Sequence, residues 1–231
     1  MKIGILIFVR MDSKRLPNKA FKLIGKRTLI GHVLERARVV KGEESIVIVT
    51  SKRKIDDPLI KFAKNENILF FRDSLNNVLL RAIKCCEHFG FSGFARVCAD
   101  RPFHCPAVLG NLISIFKNNR YDLVTNYLKK TYPRGLTTEV ISVESLKKVM
   151  SSTQDPFNLE HITNFIYMNQ KKFRIYNYEH KGENLHKYNL CVDTKADLEK
   201  ARWIVSKFKC KPENIPVEKI FPLVKIWEKN S

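Results

Sequence analysis

Short runs of Ile and Val alternate with segments of helical spacing in the first half of the chain, and this alternation narrows the possible folds more than any other feature. Residues 2–9 and 45–50 are apolar and bounded by polar turns, whereas residues 28–40 between them place Leu29 and Val33 at helical spacing. Uninterrupted apolar runs of this length are typical of strands buried on both faces of a parallel sheet. Because the alternation continues to residue 125, the sequence predicts a mostly parallel, three-layer α/β fold.

The same patterns assign the remaining segments. Strands are predicted at 2–9, 45–50, 68–71, 94–98, 121–125, 138–142, 173–178 and 187–192. Helices are predicted at 28–40, 57–65, 75–89, 106–117, 145–150, 158–170, 196–208 and 217–229. No linker rich in Gly, Ser or Pro divides the chain, so residues 1–231 are predicted to form a single domain with a strand-rich insert at about 127–180.

The chain is strongly basic. It contains 42 Lys and Arg against 23 Asp and Glu, which gives a formal net charge of +19. Such an excess attracts polyanions: nucleic acid, anionic lipid, or small substrates rich in phosphate and carboxylate. More than half of the excess lies within residues 1–54. The charge alone does not choose among these partners.

The N-terminal apolar run is the segment most easily mistaken for a membrane or targeting signal. It extends from Ile3 to Val9 and is closed by Arg10, which is far short of the roughly 18 apolar residues that a membrane span requires. It also lacks a small-residue cleavage site, so we interpret it as a buried strand. The six cysteines include no C-x-x-C pair, which favours reduced thiols. We therefore expect a cytoplasmic protein without a membrane partner.

The loop after the first strand is the most informative segment. It reads R-M-D-S-K-R-L-P-N-K from Arg10 to Lys19 and carries four cations. Ligands of open α/β sheets bind at the carboxyl ends of the strands, where such a loop can hold a polyphosphate through its cations and backbone N–H groups. The loop is neither a Walker A sequence nor a G-x-G-x-x-G turn, which disfavours a P-loop kinase and a dinucleotide dehydrogenase.

Two aspartates end later strands. Asp100 follows the strand in R-V-C-A-D-R-P-F, and Asp193 ends the apolar stretch N-L-C-V-D just before a predicted helix. A carboxylate at this edge of the sheet can hold Mg²⁺ against nucleotide phosphates. The other interpretation of Asp193 is a helix N-cap. Together with the basic loop, the two aspartates form a set that suits displacement at phosphorus.

Several segments, in order along most of the chain, resemble sugar cytidylyltransferases, in particular the SpsF-like spore coat polysaccharide biosynthesis group, relatives of the CMP-sialate and CMP-Kdo synthetases. The loop Arg10–Lys19 matches R-M-x-S-x-R-L-P-x-K in that family. The other matching positions are Ser74, Val78, Leu79 and Arg81; Asp100 and Pro102; Pro133, Gly135, Leu136, Glu139 and Val140; Glu160, His161 and Thr163; and Asp193, Thr194, Asp197 and Leu198. Residues that depart from the family pattern are Asp12, Asn18, Asp73, Asn77 and Thr137. Asn and Asp tolerate left-handed backbone, so the loop conformations are expected to survive.

This resemblance implies a GT-A-like nucleotidyltransferase fold of the nucleotide-diphospho-sugar transferase type, with a mostly parallel mixed sheet. It implies Mg²⁺-dependent transfer of CMP from CTP to a sugar or sugar acid, with release of pyrophosphate, for polysaccharide or surface glycan synthesis. The partners would be CTP and the acceptor sugar, together with a second copy of the chain if residues 127–180 support a homodimer.

The resemblance also assigns roles to residues. The nucleotide would be bound by Arg10, Met11, Ser13, Arg15, Lys19, Ser74 and Arg81. Arg15, Lys19, Asp100 and Asp193 would be catalytic, and the two aspartates would hold Mg²⁺. The acceptor would be bound by Arg81, Glu139, Glu160 and His161, and His161 is a candidate proton acceptor because histidine is the side chain that most often acts as a general base.

Two other functions are compatible with parts of the sequence. A glycosyltransferase that uses a nucleotide sugar could share the fold, but its usual D-x-D metal pair is absent and the cationic loop suits an intact triphosphate. A basic nucleic-acid-binding protein would explain the charge, but no recognised DNA- or RNA-binding motif is present and the 15 Phe and 7 Tyr fall mainly at apolar positions. We therefore expect no nucleic-acid partner.

Overall fold

The computed structural model describes residues 1–40, 42 and 44–229. Its strands are β1 (Ile3–Phe8), β2 (Leu23–Ile24), β3 (Arg27–Thr28), β4 (Ser45–Ser51), β5 (Leu69–Asp73), β6 (Gly93–Cys98), β7 (Leu123–Thr125), β8 (Glu139–Ser142) and β9 (Ile175–Asn177). Its α-helices are α1 (Leu29–Arg38), α2 (Asp57–Asn65), α3 (Val78–Phe89), α4 (Pro106–Asn118), α5 (Val143–Ser152), α6 (Pro156–Glu160), α7 (Asn164–Met168), α8 (Lys195–Ser206) and α9 (Val217–Lys229).

Seven of these strands form one sheet in the order β5-β4-β1-β6-β8-β7-β9. Strands β5, β4, β1 and β6 pair in parallel, β8 is antiparallel to both β6 and β7, and β9 is parallel to β7. The central strand β1 is buried on both faces, since Ile5 and Ile7 belong to one apolar cluster and Leu6 belongs to another. The predicted three-layer α/β fold with a mostly parallel, mixed sheet is confirmed.

The carboxyl ends of the central strands lie side by side. Phe8 of β1 is paired with Val49 of β4 and with Cys98 of β6, so the segments that follow these strands leave the sheet at one edge. The segment before α8 reaches the same edge, because the Val192 amide donates to the Asp100 carbonyl at 2.8 Å. The basic loop and both strand-end aspartates are thereby brought together.

Two predicted elements in the second half of the chain are wrong. The single helix predicted at 158–170 is instead the pair α6 and α7, interrupted where Ile162 and Thr163 turn into the protein and become buried. The strand predicted at 187–192 forms no ladder, because its one bridge joins Asn189 to Arg134. Its apolar side chains Leu190 and Val192 are nevertheless buried, which explains the misleading pattern.

The predicted insert contains more helix than strand. Within residues 127–180 the structure has the strands β8 and β9, both in the main sheet, and the helices α5, α6 and α7. The dimerisation role of this segment stays a prediction.

A hairpin that the sequence patterns did not indicate follows the basic loop. Strands β2 and β3 pair antiparallel around Gly25, whose φ of 62° lies in the left-handed region that favours glycine. Each strand has two residues, which is too short to show an alternation of apolar and polar side chains. The hairpin packs against α8 through Ile24, which is fully buried in a third apolar cluster with residues of α8 and α9.

The helices are short. The longest, α4 and α9, have 13 residues each. Among the residues that the structure describes, no helix combines the length and the apolar composition needed to cross a lipid bilayer.

Candidate active site

Lys19 lies at the centre of the polar cluster at the carboxyl edge of the sheet. Its Nζ is 2.8 Å from Asp193 Oδ1 and 3.4 Å from Asp100 Oδ2, and it also donates to the Val192 carbonyl at 3.2 Å. The structure therefore joins three residues that are far apart in sequence and that the sequence analysis had selected. One ammonium group bridges the carboxylates of Asp100 and Asp193.

Asp193 has more positively charged neighbours than Asp100, the other carboxylate that Lys19 contacts. Its side chain is only 10% exposed, and its Oδ2 lies 3.1 Å from Arg15 Nη2 and 3.7 Å from Arg134 Nη2. Burial would raise the pKa of the Asp193 carboxyl, but the hydrogen bond and charge of Lys19, with the charge of Arg15, hold it below its ordinary value. Asp193 is therefore ionised at neutral pH.

The N-cap interpretation of Asp193 is excluded by the start of α8. Thr194 is the N-cap residue, and it forms a capping box with Asp197. The Asp197 carboxylate accepts from the backbone N–H groups of both Asp193 and Thr194, at 3.1 and 2.9 Å. The capping box satisfies the helix start and leaves the Asp193 side chain free to face the cations.

Asp100 has spare capacity to bind a cation. Its Oδ2 contacts Lys19, whereas its Oδ1 is buried and has no hydrogen-bond partner in the described part of the chain. Carboxylate oxygens are the protein ligands that Mg²⁺ prefers, usually one or two of them alongside phosphate oxygens and water. Among the described residues there is no group of three or more His, Cys, Asp or Glu that could hold a metal. Asp100 and Asp193 thus fit a Mg²⁺ ion that a phosphate substrate helps to bind.

The basic loop is held in place by a residue that the sequence analysis missed. Asp56 is fully buried, and its Oδ1 accepts from the Met11 backbone N–H at 2.8 Å. Its Oδ2 accepts from the Ser51 hydroxyl and, at 3.1 Å, from Arg53, which also contacts Asp12 at 2.5 Å. This network fixes the start of the loop against the end of β4.

The loop conformation also depends on Asn18. Its φ of 55° and ψ of 28° are left-handed, the conformation expected for a residue that stands where the family has Gly. It directly precedes a single 3-10 turn, Lys19–Phe21. Within the loop, Ser13 Oγ accepts from the Leu16 amide at 3.4 Å and the Leu16 side chain is buried. The left-handed turn at Asn18 thus places the Lys19 ammonium next to Asp100 and Asp193.

The exposed cations of the loop face solvent. The side chains of Arg10 and Arg15 are 53% and 66% exposed. Arg10 lies 3.4 Å from Asp12 and 3.6 Å from Glu160. At these exposures the ion pairs stabilise the fold weakly, by about 1 kcal/mol or less, so both arginines can exchange their carboxylate partners for an anionic ligand.

Ser74 and Arg81 lie at the carboxyl end of β5. Arg81 is buried and donates through Nη1 to the Ser74 carbonyl at 2.7 Å, while its Nε has no partner among the described residues. Burial, followed by the nearby charge of Arg10, lowers the pKa of Arg81 to about 10. Ser74 Oγ accepts from the amide of Asn77, whose side chain caps α3. Both residues border the loop but already have structural partners.

Of the four predicted acceptor residues, Arg81 is described above, and the other three comprise one largely buried side chain and two exposed ones. Glu139 lies in the sheet, where it accepts from Arg96 at 3.1 Å and from the Tyr167 hydroxyl at 2.6 Å. Burial would raise the pKa of Glu139, but the charge of Arg96 and the hydrogen bond from Tyr167 keep it below its ordinary value. Glu160 and His161 are instead exposed at the end of α6.

His161 is placed for contact with solvent. Its ring centroid is 4.3 Å from that of Phe157, whose side chain is also exposed. Thr137 is buried where the family pattern has Asp, and its carbonyl accepts from Arg101, the residue after Asp100. At this position the chain lacks a carboxylate that the family pattern has.

A sequence model of the cytidylyltransferase family matches residues 4–214. The chain belongs to that family. It is therefore a nucleotidyltransferase enzyme, and the residues matched include every site residue described above. Among curated relatives of this cytidylyltransferase, the spore coat polysaccharide biosynthesis protein SpsF of Bacillus subtilis is 27% identical over 220 residues, which cover 91% of this chain and 89% of SpsF.

Solved structures of similar proteins agree with the family. A cytidylyltransferase from Leptospira borgpetersenii superposes with a TM-score of 0.90 at 30% identity and covers 100% of this chain and 95% of its own. A CMP:2-keto-3-deoxy-manno-octonic acid synthetase in complex with CTP superposes with a TM-score of 0.65 at 18% identity, covering 90% of this chain and 99% of its own. At that identity the second likeness shows the fold alone.

We expect Asp56→Ala to loosen the basic loop of this cytidylyltransferase. The substitution leaves the Met11 amide and Arg53 without their buried acceptor, so the free energy of unfolding should fall by about 2–4 kcal/mol and CTP should bind more weakly. Urea unfolding and isothermal titration with CTP measure the two effects.

The neighbouring Asp57→Ala is the matched control. Asp57 is 52% exposed and pairs with Arg72 at 2.8 Å, so its loss should cost about 1 kcal/mol or less and leave CTP binding unchanged. Equal CTP affinity in the Asp56→Ala and Asp57→Ala proteins would show that Asp56 does not position the loop.

Proposed function

We propose that this protein transfers CMP from CTP to a sugar acid, or a closely related sugar, in a Mg²⁺-dependent reaction that releases pyrophosphate. One observation carries the proposal: Lys19 bridges Asp100 and Asp193 at the carboxyl edge of the sheet, directly after a loop of exposed cations. Such a site offers positive charge for a triphosphate and two carboxylates for a cation. The synthetase of similar fold acts on a keto-deoxy sugar acid, which suggests the acceptor class.

In the proposed site the loop binds the triphosphate. Arg10, Arg15 and Lys19 neutralise phosphate charge, and the Ser13 hydroxyl donates a hydrogen bond. A hydroxyl oxygen of the acceptor attacks the α-phosphorus, the bond to the bridging oxygen of pyrophosphate breaks, and the hydroxyl proton leaves to solvent or to a nearby base. Reactions of this type depend on positioning and on stabilisation of the charge that develops on the leaving group. No protein nucleophile is needed.

Asp100 and Asp193 would hold the Mg²⁺ ion, which supplies further charge neutralisation on the phosphates. The chain's own contribution is to hold both carboxylates close together through Lys19 and to keep the Asp193 carboxylate ionised. For Asp193 this follows from its lowered pKa beside Lys19 and Arg15. Ser74 and Arg81 complete the proposed nucleotide site from the end of β5.

The acceptor is proposed to bind on the side of Glu139, Glu160 and His161. Glu139 is engaged by Arg96 and Tyr167, so we assign it a role in shaping the site. Glu160 and His161 are exposed beside Arg10 of the loop, and they are free to contact a sugar hydroxyl or to accept its proton. The name of the SpsF relative, a spore coat polysaccharide biosynthesis protein, supports a role in polysaccharide synthesis.

The direct test is release of pyrophosphate from CTP in the presence of Mg²⁺ and a panel of sugar acids. Wild-type protein should release pyrophosphate only with CTP and an accepted sugar. Asp100→Asn should lower kcat about 100-fold or more, because charge stabilisation at the transition state is lost. Arg15→Ala should raise the KM for CTP.

Circular dichroism and melting curves show whether each variant is folded. If folded Asp100→Asn protein retained full Mg²⁺-dependent turnover, the assignment of Asp100 to the metal would be wrong. If wild-type protein released no pyrophosphate with any acid of the panel but did so with a neutral sugar, the sugar-acid part of the proposal would be wrong.

The bridging position of Lys19 gives a second prediction. Without nucleotide its ammonium compensates both carboxylates, so Lys19→Met should tighten metal binding to the free protein by about tenfold while weakening CTP binding. Binding of Mn²⁺, followed by electron paramagnetic resonance without nucleotide, measures the first effect.

The exposed Lys22, three residues further along the chain, provides the control Lys22→Met, which should change neither affinity. Unchanged Mn²⁺ affinity in the Lys19→Met protein would contradict the proposal that metal and ammonium compete for the same carboxylates.

A further inference from the structure

A cavity of about 630 Å³ lies apart from the residues of the proposed active site. It is bordered by the hairpin β2–β3, the middle of α1, the end of α8 and the segment at 208–213. This volume is within the range of small-molecule sites in proteins, roughly 300–1,000 Å³. None of its lining residues belongs to the nucleotide, metal or acceptor sites assigned above.

The walls of the cavity are fixed. Arg36 of α1 is buried and donates through Nη1 to the carbonyls of Pro212 and Ile215, at 2.7 and 3.1 Å. Arg202 of α8 donates through Nε to the Leu23 carbonyl of the hairpin at 2.9 Å. These bonds tie the segment at 208–213 to α1 and tie α8 to the hairpin, so the cavity is built into the fold.

A buried histidine lining the cavity has an unused acceptor. His32 is 1% exposed, and its Nε2 is 2.7 Å from the Ile24 carbonyl. A carbonyl only accepts, so Nε2 carries the hydrogen. Burial lowers the pKa of His32, so the ring is neutral and Nδ1 presents a lone pair. Nδ1 has no partner among the described residues, whereas buried polar atoms in folded proteins are nearly always hydrogen-bonded.

The cavity is also basic. Its lining includes the five cations Lys26, Arg27, Arg202, Lys209 and Lys211 and the two carboxylates Glu35 and Glu213. Arg27 pairs with Glu35 at 2.9 Å, and Arg202 pairs with Glu199 outside the cavity at 3.1 Å. Within the described part of the chain, no carboxylate lies within ion-pair distance of the three lysines. An anionic group at the mouth would meet uncompensated positive charge.

Apolar side chains complete the lining. Ile24, Val205, Phe208 and Pro212 contribute surface that suits a carbon ring. We propose that this cavity binds a small phosphorylated metabolite, a phosphate monoester that also presents a hydroxyl or N–H group. The phosphate binds Lys209 and Lys211, and the hydroxyl or N–H group donates to His32 Nδ1. Nucleotides and sugar phosphates share this chemistry, and the experiment distinguishes them.

The test observes the His32 side chain directly by nuclear magnetic resonance. The chain has six histidines, so the ¹⁵N spectrum of protein labelled at histidine is simple enough to assign. Full-length protein is titrated separately with CMP and with glucose 6-phosphate. The expected result is a saturable shift of the His32 Nδ1 resonance with at least one of them. A shift with CMP alone assigns the site to nucleotides, and a shift with glucose 6-phosphate alone assigns it to sugar phosphates.

Charge variants show whether the ligand responsible for the shift lies in the cavity. The double substitution Lys209→Glu and Lys211→Glu changes exposed residues, and it should weaken the titration by about tenfold or more. The matched double substitution Lys171→Glu and Lys181→Glu changes the net charge equally on exposed residues outside the cavity, and it should leave the midpoint unchanged. Absence of a saturable His32 shift with both compounds, or an unchanged midpoint in the Lys209 and Lys211 variant, would overturn the proposal.

Discussion

The Lys19 ammonium joins the three segments from which the site is built. These are the loop after β1, the turn after β6 and the segment before α8, which are separated by up to 174 positions in the chain. Without this cation two carboxylates would face each other at the edge of the sheet, and like charges so close repel each other. The ammonium offsets that repulsion and holds the three segments together. In the proposed function, the same electrostatic balance is what a metal and a triphosphate would engage.

Three supporting features determine where these charged groups lie. Asp56 holds the start of the loop through the Met11 amide, and Asn18 turns the end of the loop through a left-handed residue. The capping box of α8 removes any competing use for Asp193. None of these features contacts substrate in the proposed site. Each of them nevertheless helps to determine the position of a charged side chain that does. A rigid loop costs less conformational entropy when the nucleotide binds.

Much of the architecture follows from the sequence because it depends on long, regular patterns. The buried run of β1 and the position of Asp100 after β6 could be predicted, since carboxyl ends of parallel strands meet at one edge. Asp193 lies at the same edge, although the strand predicted before it does not form. The roles of Asp56 and Arg134 could not be predicted. Asp56 accepts a buried hydrogen bond from a residue 45 positions away, and such a bond leaves no local pattern in the sequence. The strand prediction at 187–192 was wrong because a local apolar pattern was present without a strand. The apolar residues of this segment are buried, but in the described part of the chain the segment makes an isolated bridge at Asn189 and no strand ladder.

The measurement that tests the central claim most directly is thermal stabilisation by CTP, ATP, GTP and UTP, each with and without Mg²⁺. A ligand that binds only the folded protein raises its melting temperature in proportion to the logarithm of its concentration over Kd, and no knowledge of the acceptor sugar is needed. A site formed by Lys19, Asp100 and Asp193 in a cytidylyltransferase predicts a shift with CTP that depends on Mg²⁺ and exceeds the shifts with the other nucleotides. Equal shifts with all four nucleotides would indicate nonspecific binding of polyanions to a surface of charge +19, and that result, or no shift at all, would contradict the claim.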